Sequence, residues 1–295
     1  MKELIAKAEI LIEALPYIRA FADKTIVIKY GGQAMVNDDL KKKVIVDIIL
    51  LKYIGLNPIL VHGGGAEVTR LMERVGKKAE FRGGLRVTDK ETMELVEMVL
   101  VGKVNKEIVG LINQYGGKAV GLSGKDSNLI IAQKRPPESL VVEGEEKIVD
   151  LGYVGDVTKI NPEVVKELSQ QGYIPVISTI GVDLNGESLN INADHVAGEI
   201  AAALSAEKLM ILTDVEGIFE DPQNTSSLIS SLPREQALDM IKRGKISEGM
   251  IPKVEACLQA LEHEVRRTHI VDGRIPHSLL LEIFTDEGIG TMVIE

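Results

Sequence analysis

Apolar residues recur at helical spacing over residues 4–21: Leu4, Ile5, Ala8, Leu11, Ile12, Leu15, Ile18 and Phe21. Pro16 is expected to bend this helix or divide it in two. The helix precedes the first strand, so it reads as an appendage to the core. The period then changes. "KTIVIKYGG" predicts a buried strand ending at Gly31-Gly32, followed by a helix over roughly 38–54 and a second strand over 58–62. Gly63-Gly64-Gly65 ends that strand, and "AEVTRLMERV" after it predicts another helix. "DKETMELVEMVLVGKVNKEIVGLINQYG" predicts one long amphipathic helix, with Asp89 near its start and Gly116 past its end.

The middle has another texture. "NLIIAQK", "LVVEG", "KIVDLG" and "GDVTKI" are short β-prone pieces with polar breaks, which predict hairpins. Alternation resumes with a strand at "YIPVIST", a helix from about Ala193 to Leu204 and a buried strand in "KLMILTDVEGIF". Helices near 233–243 and 249–263, a strand "THIVDG" and a closing "GTMVIE" complete the chain. Strands alternating with helices indicate an α/β fold, a three-layer αβα sandwich around a mainly parallel central sheet.

Composition narrows the function. The formal charge of −10 and 3% aromatic residues argue against nucleic acid as a partner. No apolar run reaches the ~18 residues that a membrane span requires. Glu3, Lys7, Glu9 and Glu13 interrupt the stretch where a signal peptide would be apolar, and the single Cys257 excludes an intramolecular disulfide, so a cytoplasmic location is expected. "HEVRR" begins like a zinc-protease helix, but Arg267 stands where the second histidine must be, so no protein-held metal is expected.

The chemistry concentrates at strand ends, where α/β sheets bind ligands. Glycines lie at three of them: Gly31-Gly32, Gly63-Gly64-Gly65, and Gly217 in "TDVEG". Glycine lets backbone N–H groups approach an anion, and a following helix adds its positive end. The spacing matches neither a P-loop nor a dinucleotide fingerprint: Ala119 and Asp126 break the first, Val68 the second. Lys29 ends an otherwise apolar strand beside the first pair, where it is either a solvent-reaching strand end or a phosphate ligand. Lys253 falls in the first turn of its helix if Pro252 opens it, the wrong end for a cation unless an anion from elsewhere compensates. Asp194 sits at the start of a helix that Asn192 would cap, either as a dipole partner or as a bridge between two lysines. Arg86, after another glycine pair, is placed to clamp a carboxylate.

In order along the chain, "IKYGGQAM", "VHGGGAEVTRLM", "FRGGLRVTD", "SLNINADHVAGEIAAAL", "LTDVEGIF" and "EGMIPKVEA" resemble the amino-acid kinase family, in the branch of the N-acetyl-L-glutamate kinases. The resemblance implies ATP, with Mg²⁺ borne by the nucleotide, and N-acetyl-L-glutamate as acceptor. By the same resemblance Lys29 and Lys253 are the transition-state lysines and Asp194 is the aspartate that organises both. Gly64, Gly65, Arg86 and Asn190 correspond to substrate contacts, and Gly31, Gly32, Thr213, Asp214 and Gly217 to the nucleotide region. The N-terminal helix resembles the one that interlaces dimers into a homohexamer in arginine-inhibited members. There Tyr17, His269, Glu282 and Gly288 match the effector site for L-arginine. The division implied is an oligomerisation helix over 1–24, an acetylglutamate-binding and dimerising lobe over 25–190, and an ATP-binding and arginine-sensing lobe over 191–295. A nitrogen-signalling regulator is a further partner that the branch allows.

Other readings stay open at this point. A non-catalytic sensor would keep the fold to bind arginine or a nucleotide, yet should lack one of Lys29, Asp194 and Lys253. A kinase for glutamate, aspartate or carbamate is the alternative among enzymes.

Overall fold

The buried apolar runs become neighbours in one sheet. The computed structural model describes residues 1–142, 145–221, 223–247, 249–285 and 288–295. The parts of "LVVEG", "EGMIPKVEA" and the C-terminal effector segment at 143–144, 248 and 286–287 lie outside them. The central sheet has eight strands, in the order Ser231–Pro233, Thr291–Ile294, Arg267–Asp272, Lys208–Thr213, Thr25–Tyr30, Asn57–His62, Ile174–Ser178 and Ala119–Leu122. Every neighbouring pair runs parallel except Thr291–Ile294 against Arg267–Asp272.

Side chains alternate across a strand, and both faces are covered. Val27, Ile59, Val61, Ile177, Leu209 and Ile211 join one core cluster. Helices Glu163–Gln170, Ala193–Ala203, Arg234–Lys242 and Ile251–Glu262 contribute residues to it. Ile26, Ile28, Leu60, Val176, Met210 and Leu212 join the other, beneath helices Asp38–Tyr53 and Gly65–Arg74 and the helical run from Lys90 to Gln114. This is the three-layer sandwich that the alternation predicts. Lys29 shares the parity of Val27, so it faces the layer that carries Asp194 and Lys253.

The N-terminal helix divides at Ala14 into Lys2–Glu13 and Leu15–Phe21, with Pro16 in the first turn of the second piece, where a missing N–H costs nothing. The long amphipathic helix starts as expected, with Asp89 accepting from Thr92 N at 2.8 Å. It is not uniform, however: Met98–Val104 forms a π-helical segment between Lys90–Glu97 and Asn105–Gln114. The middle hairpins form as antiparallel pairs, Glu138–Val142 with Glu145–Val149 and Ile130–Lys134 with Gly155–Ile160. The second pair extends into a four-stranded sheet whose far strand, Ser188–Asn190, carries Asn190. Among the elements outside the expected set are helices Glu163–Gln170 and Ser278–Ile283, the edge strand Ala119–Leu122 and the short strands Ile180–Val182, Ser188–Asn190 and Ser231–Pro233. Among the described residues no helix is long and apolar enough to cross a membrane.

One contact fixes the distance between helices Ala193–Ala203 and Ile251–Glu262. A Cβ on Gly198 would lie 2.9 Å from the carbonyl oxygen of Ala256, so the helices cross with backbone against side-chain-free backbone. Gly198→Ala is therefore expected to destabilise the protein by about 1–3 kcal/mol through overpacking. A lowered urea midpoint at unchanged slope would register this, and an unchanged midpoint would show that the crossing can relax.

Candidate active site

Strand Asn57–His62 delivers the chain into Gly63-Gly64-Gly65, and Gly65 begins helix Gly65–Arg74. Gly64 has φ 158°, and a Cβ there would stand 2.6 Å from Cδ2 of Leu100, so no side chain fits. The Gly64 and Gly65 N–H groups belong to the unpaired first turn of that helix and have no acceptor among the described residues. All three glycines line a cleft of about 190 Å³ together with Arg86, Asn190, Asn192 and Ala193. The four residues expected to hold the substrate are thus brought together.

Arg86 is 7% exposed. Its Nη2 donates to the Gly65 carbonyl at 2.9 Å and to Thr69 Oγ1 at 2.8 Å. The guanidinium also stacks over the Phe81 ring, 4.6 Å from its centroid. Burial pushes its pKa down, and among the described residues no carboxylate faces it. A buried cation without a counter-ion, at the edge of an open cleft, is suited to an anionic ligand. Asn190 holds position through its own bond from Nδ2 to Thr88 Oγ1, 3.3 Å long.

At the other side of the glycine loop lies helix Ala193–Ala203. Gly63 faces its first residue, a Cβ on the glycine being 3.6 Å from that of Ala193. Asn192 caps the helix, accepting from Asp194 N at 2.8 Å and His195 N at 3.3 Å, as the sequence suggests. The Asp194 carboxylate bridges two ammonium groups, with Oδ1 3.0 Å from Lys29 Nζ and Oδ2 3.0 Å from Lys253 Nζ. Burial alone would raise the Asp194 pKa, but the charges of Lys29 and Lys253 outweigh it and hold it below the ordinary carboxylate value. Helix Ile251–Glu262 opens at Ile251, one residue before Pro252, so Lys253 is in its first turn. Asp194 is the compensating anion which that placement demands.

Gly31 and Gly32 follow Lys29 directly. A Cβ on Gly31 would come 2.8 Å from Lys29 Nζ, and one on Gly32, at φ +65°, 2.2 Å from Oδ1 of Asp214. The strands bearing Lys29 and Thr213 are parallel neighbours, so Gly31, Gly32, Thr213 and Asp214 gather at adjacent carboxyl ends. Gly217, four residues after Thr213, packs against Leu228 and against Thr291 of the closing strand.

The residues expected to sense an effector form a separate group. Tyr17 and Glu282 line a cavity between the N-terminal helix and the 282–285 segment. His269 does not line it but donates from Nδ1 to Glu282 Oε1 at 2.6 Å. Glu282 Oε2 accepts from the N–H groups of Ile289 and Gly290 at 2.7 and 3.1 Å. Gly288, at φ +64°, leaves room for that carboxylate: a Cβ would be 2.9 Å from it. Lys208 also lines the cavity, 4.8 Å above the Phe21 ring, and burial pushes its pKa down to about 8. It is the first residue of a buried strand, and nothing in the local pattern distinguishes it from an ordinary strand end.

Residues 24–272 match the Amino acid kinase family. The acetylglutamate kinase of Heliobacterium modesticaldum (strain ATCC 51547 / Ice1) is 59% identical over 296 aligned positions, which cover the whole of both chains. Among solved structures, an N-acetylglutamate synthase from Neisseria gonorrhoeae complexed with coenzyme A and N-acetyl-glutamate superposes with a TM-score of 0.82 at 26% identity. That match takes in 98% of this chain and 63% of the synthase. The same synthase complexed with coenzyme A and L-arginine gives 0.79 at 25% identity, over 97% and 65%. With its fold, its glycine-lined cleft and these similarities in agreement, the chain belongs to the amino acid kinase family.

Proposed function

We propose that this enzyme transfers the γ-phosphoryl group of ATP to the side-chain carboxylate of N-acetyl-L-glutamate, forming an acyl phosphate in arginine biosynthesis. The observation that carries the reading is the charge layout of the cleft: an unpaired, buried Arg86 at one end and the Lys29–Asp194–Lys253 bridge beside the other. Arg86 takes the α-carboxylate, and Gly64, Gly65 and Asn190 hold the remainder. The reacting carboxylate, with a reference pKa of ~4.3, is already ionised at pH 7 and needs no general base. One of its oxygens bonds to the γ-phosphorus as the bond to the ADP oxygen breaks, the electron pair leaving on ADP. The work of the protein is alignment and charge neutralisation: Lys29 and Lys253 meet the oxygens that gain charge, Asp194 keeps both ammonium groups in place, and the glycine N–H groups receive phosphoryl oxygens. Gly31, Gly32, Thr213, Asp214 and Gly217 form the nucleotide side, and Mg²⁺ arrives on the nucleotide as part of the substrate.

The second cavity is read as the site of feedback by L-arginine. Glu282 pairs with the guanidinium and Tyr17 forms part of the wall, while His269 and Gly288 hold the Glu282 carboxylate from behind. The L-arginine complex of the structurally similar synthase supports this, as does the ionised Glu282 carboxylate in the wall of that cavity, held below the ordinary carboxylate value by its hydrogen bonds from His269, Ile289 and Gly290. The N-terminal helix then serves a homohexameric ring, the lobes divide near residue 190, and the enzyme works in the cytoplasm. A nitrogen-signalling regulator would dock on that ring.

Hydroxylamine trapping of the acyl phosphate tests both levels. With ATP, N-acetyl-L-glutamate is expected to be turned over while glutamate, aspartate and carbamate are not, and arginine is expected to reduce the rate. Use of another acceptor would remove the roles given to Arg86 and Asn190. Turnover indifferent to arginine would leave the kinase and strip the second cavity of its function.

A further inference from the structure

His62 ends the strand that feeds the glycine loop, and it is wholly buried. Its ring lies between two groups of known polarity. Nδ1 is 2.8 Å from the Gly63 carbonyl oxygen, which can only accept, so Nδ1 must carry the proton. Nε2 is 3.1 Å from Nδ2 of Asn105. The orientation of that amide is itself determined. Its Nδ2 faces the Val176 carbonyl at 2.9 Å, and its Oδ1 faces the ammonium of Lys106 at 3.1 Å. Reversing the amide would set oxygen against oxygen and N–H against ammonium. Asn105 therefore donates to Nε2, and the imidazole is the neutral Nδ1–H tautomer. Burial, with the Lys106 charge nearby, pushes the His62 pKa down to about 4, so the ring stays neutral at working pH.

The surroundings are shaped for this relay. The π-helical segment presses Leu100 and Val104 against Gly64, and Asn105 is the residue directly after it. Gly121 on the edge strand leaves space for the Asn105 amide, since a Cβ there would lie 1.9 Å from Oδ1. In a trans peptide the C=O and N–H point in opposite directions. Anchoring the Gly63 carbonyl on the buried ring turns the N–H of Gly64 away from the core, to the side where the loop lines the cleft.

We infer that His62 is a positioning residue of the phosphoryl transfer. As a neutral Nδ1–H imidazole set by Asn105, it clamps the Gly63–Gly64 peptide so that the Gly64 N–H meets the transferring phosphoryl group. The inference rests on the proposed kinase activity and goes beyond it, because His62 touches neither substrate.

The test compares three proteins by kcat and KM. His62→Leu removes the donor and is expected to lower kcat by about 10–100-fold, the cost of a loop misaligned by around an ångström, while KM for N-acetyl-L-glutamate stays within a factor of two or three. His62→Asn places an amide N–H near the position of Nδ1 and is expected to recover most of that loss. Equal losses in both variants, or a loss confined to KM, would overturn the clamp. Should His62→Leu not fold, the native protein still decides: nitrogen NMR of the ring must show the Nδ1–H tautomer throughout pH 5.5–8, and an Nε2–H tautomer would refute the assignment. A wild type that turns over no N-acetyl-L-glutamate would instead defeat the activity itself, whatever the ring reports.

Discussion

Lys253→Ala is expected to lower kcat by about 10²–10³-fold while KM for N-acetyl-L-glutamate changes little, because in the proposed mechanism the ammonium meets charge that appears only in the transition state. Lys29→Ala is expected to behave alike, since both ammonium groups rest on the same Asp194 carboxylate. Neither lysine lines the cleft in which Arg86 and Asn190 stand, so ground-state binding has little to lose. Steady-state kinetics with both substrates varied would check this. A rise in KM with kcat intact would make the lysines binding groups, and unchanged kcat in both variants would remove them from the mechanism.

Asp194→Ala is expected to cost the fold about 3–5 kcal/mol, because it leaves two largely buried ammonium groups facing each other without an anion. Urea unfolding measures this. Replacing both lysines by methionine in the same chain should restore much of the loss, and failure to do so would mean that Asp194 acts through the dipole of its own helix instead. The pH dependence follows from the sign of the shift. The folded pKa of Asp194 lies below the unfolded value of 3.8, so its contribution is complete above about pH 4–5. It is lost as pH falls through the folded value, and the gap between wild type and Asp194→Ala should narrow only there.

Much of this arrangement is legible in the sequence, for specific reasons. A strand buried on both faces must be apolar throughout, so "TIVIKY" and "KLMILT" announce themselves, and Lys29 stands out as the one charge in the first of them. Asn192 and Asp89 identify helix starts because capping is a local interaction. Asp194 as the common partner of two lysines is legible only as one of two options, since the choice depends on how distant helices pack on the sheet. Residues 29, 194 and 253 meet because helix Ala193–Ala203 packs on strand Thr25–Tyr30 and helix Ile251–Glu262 packs on that helix, which no local pattern specifies. The π segment is invisible for another reason: its residues are as apolar and as amphipathically spaced as those of the α-helices around it. Helix Ser278–Ile283 is too short for a period to be read. His62 looks like any polar residue at the end of a strand, and its meaning comes from Asn105, Gly121 and Val176, each far away in the chain.

The order of strands has a consequence for how the protein is made. The first strand formed, Thr25–Tyr30, lies in the interior of the sheet, and one of its two neighbours is not synthesised until residues 208–213. A nascent chain that has emerged only through the Asp194 helix therefore exposes one complete, apolar strand edge, the feature most prone to pairing with the wrong chain. Lys29, near the end of that edge, is then a bare ammonium in an otherwise sticky strand. The side chain proposed to act on phosphate in the finished enzyme thus also sets a charge on the strand that stays open longest, where charge disfavours pairing with the wrong chain.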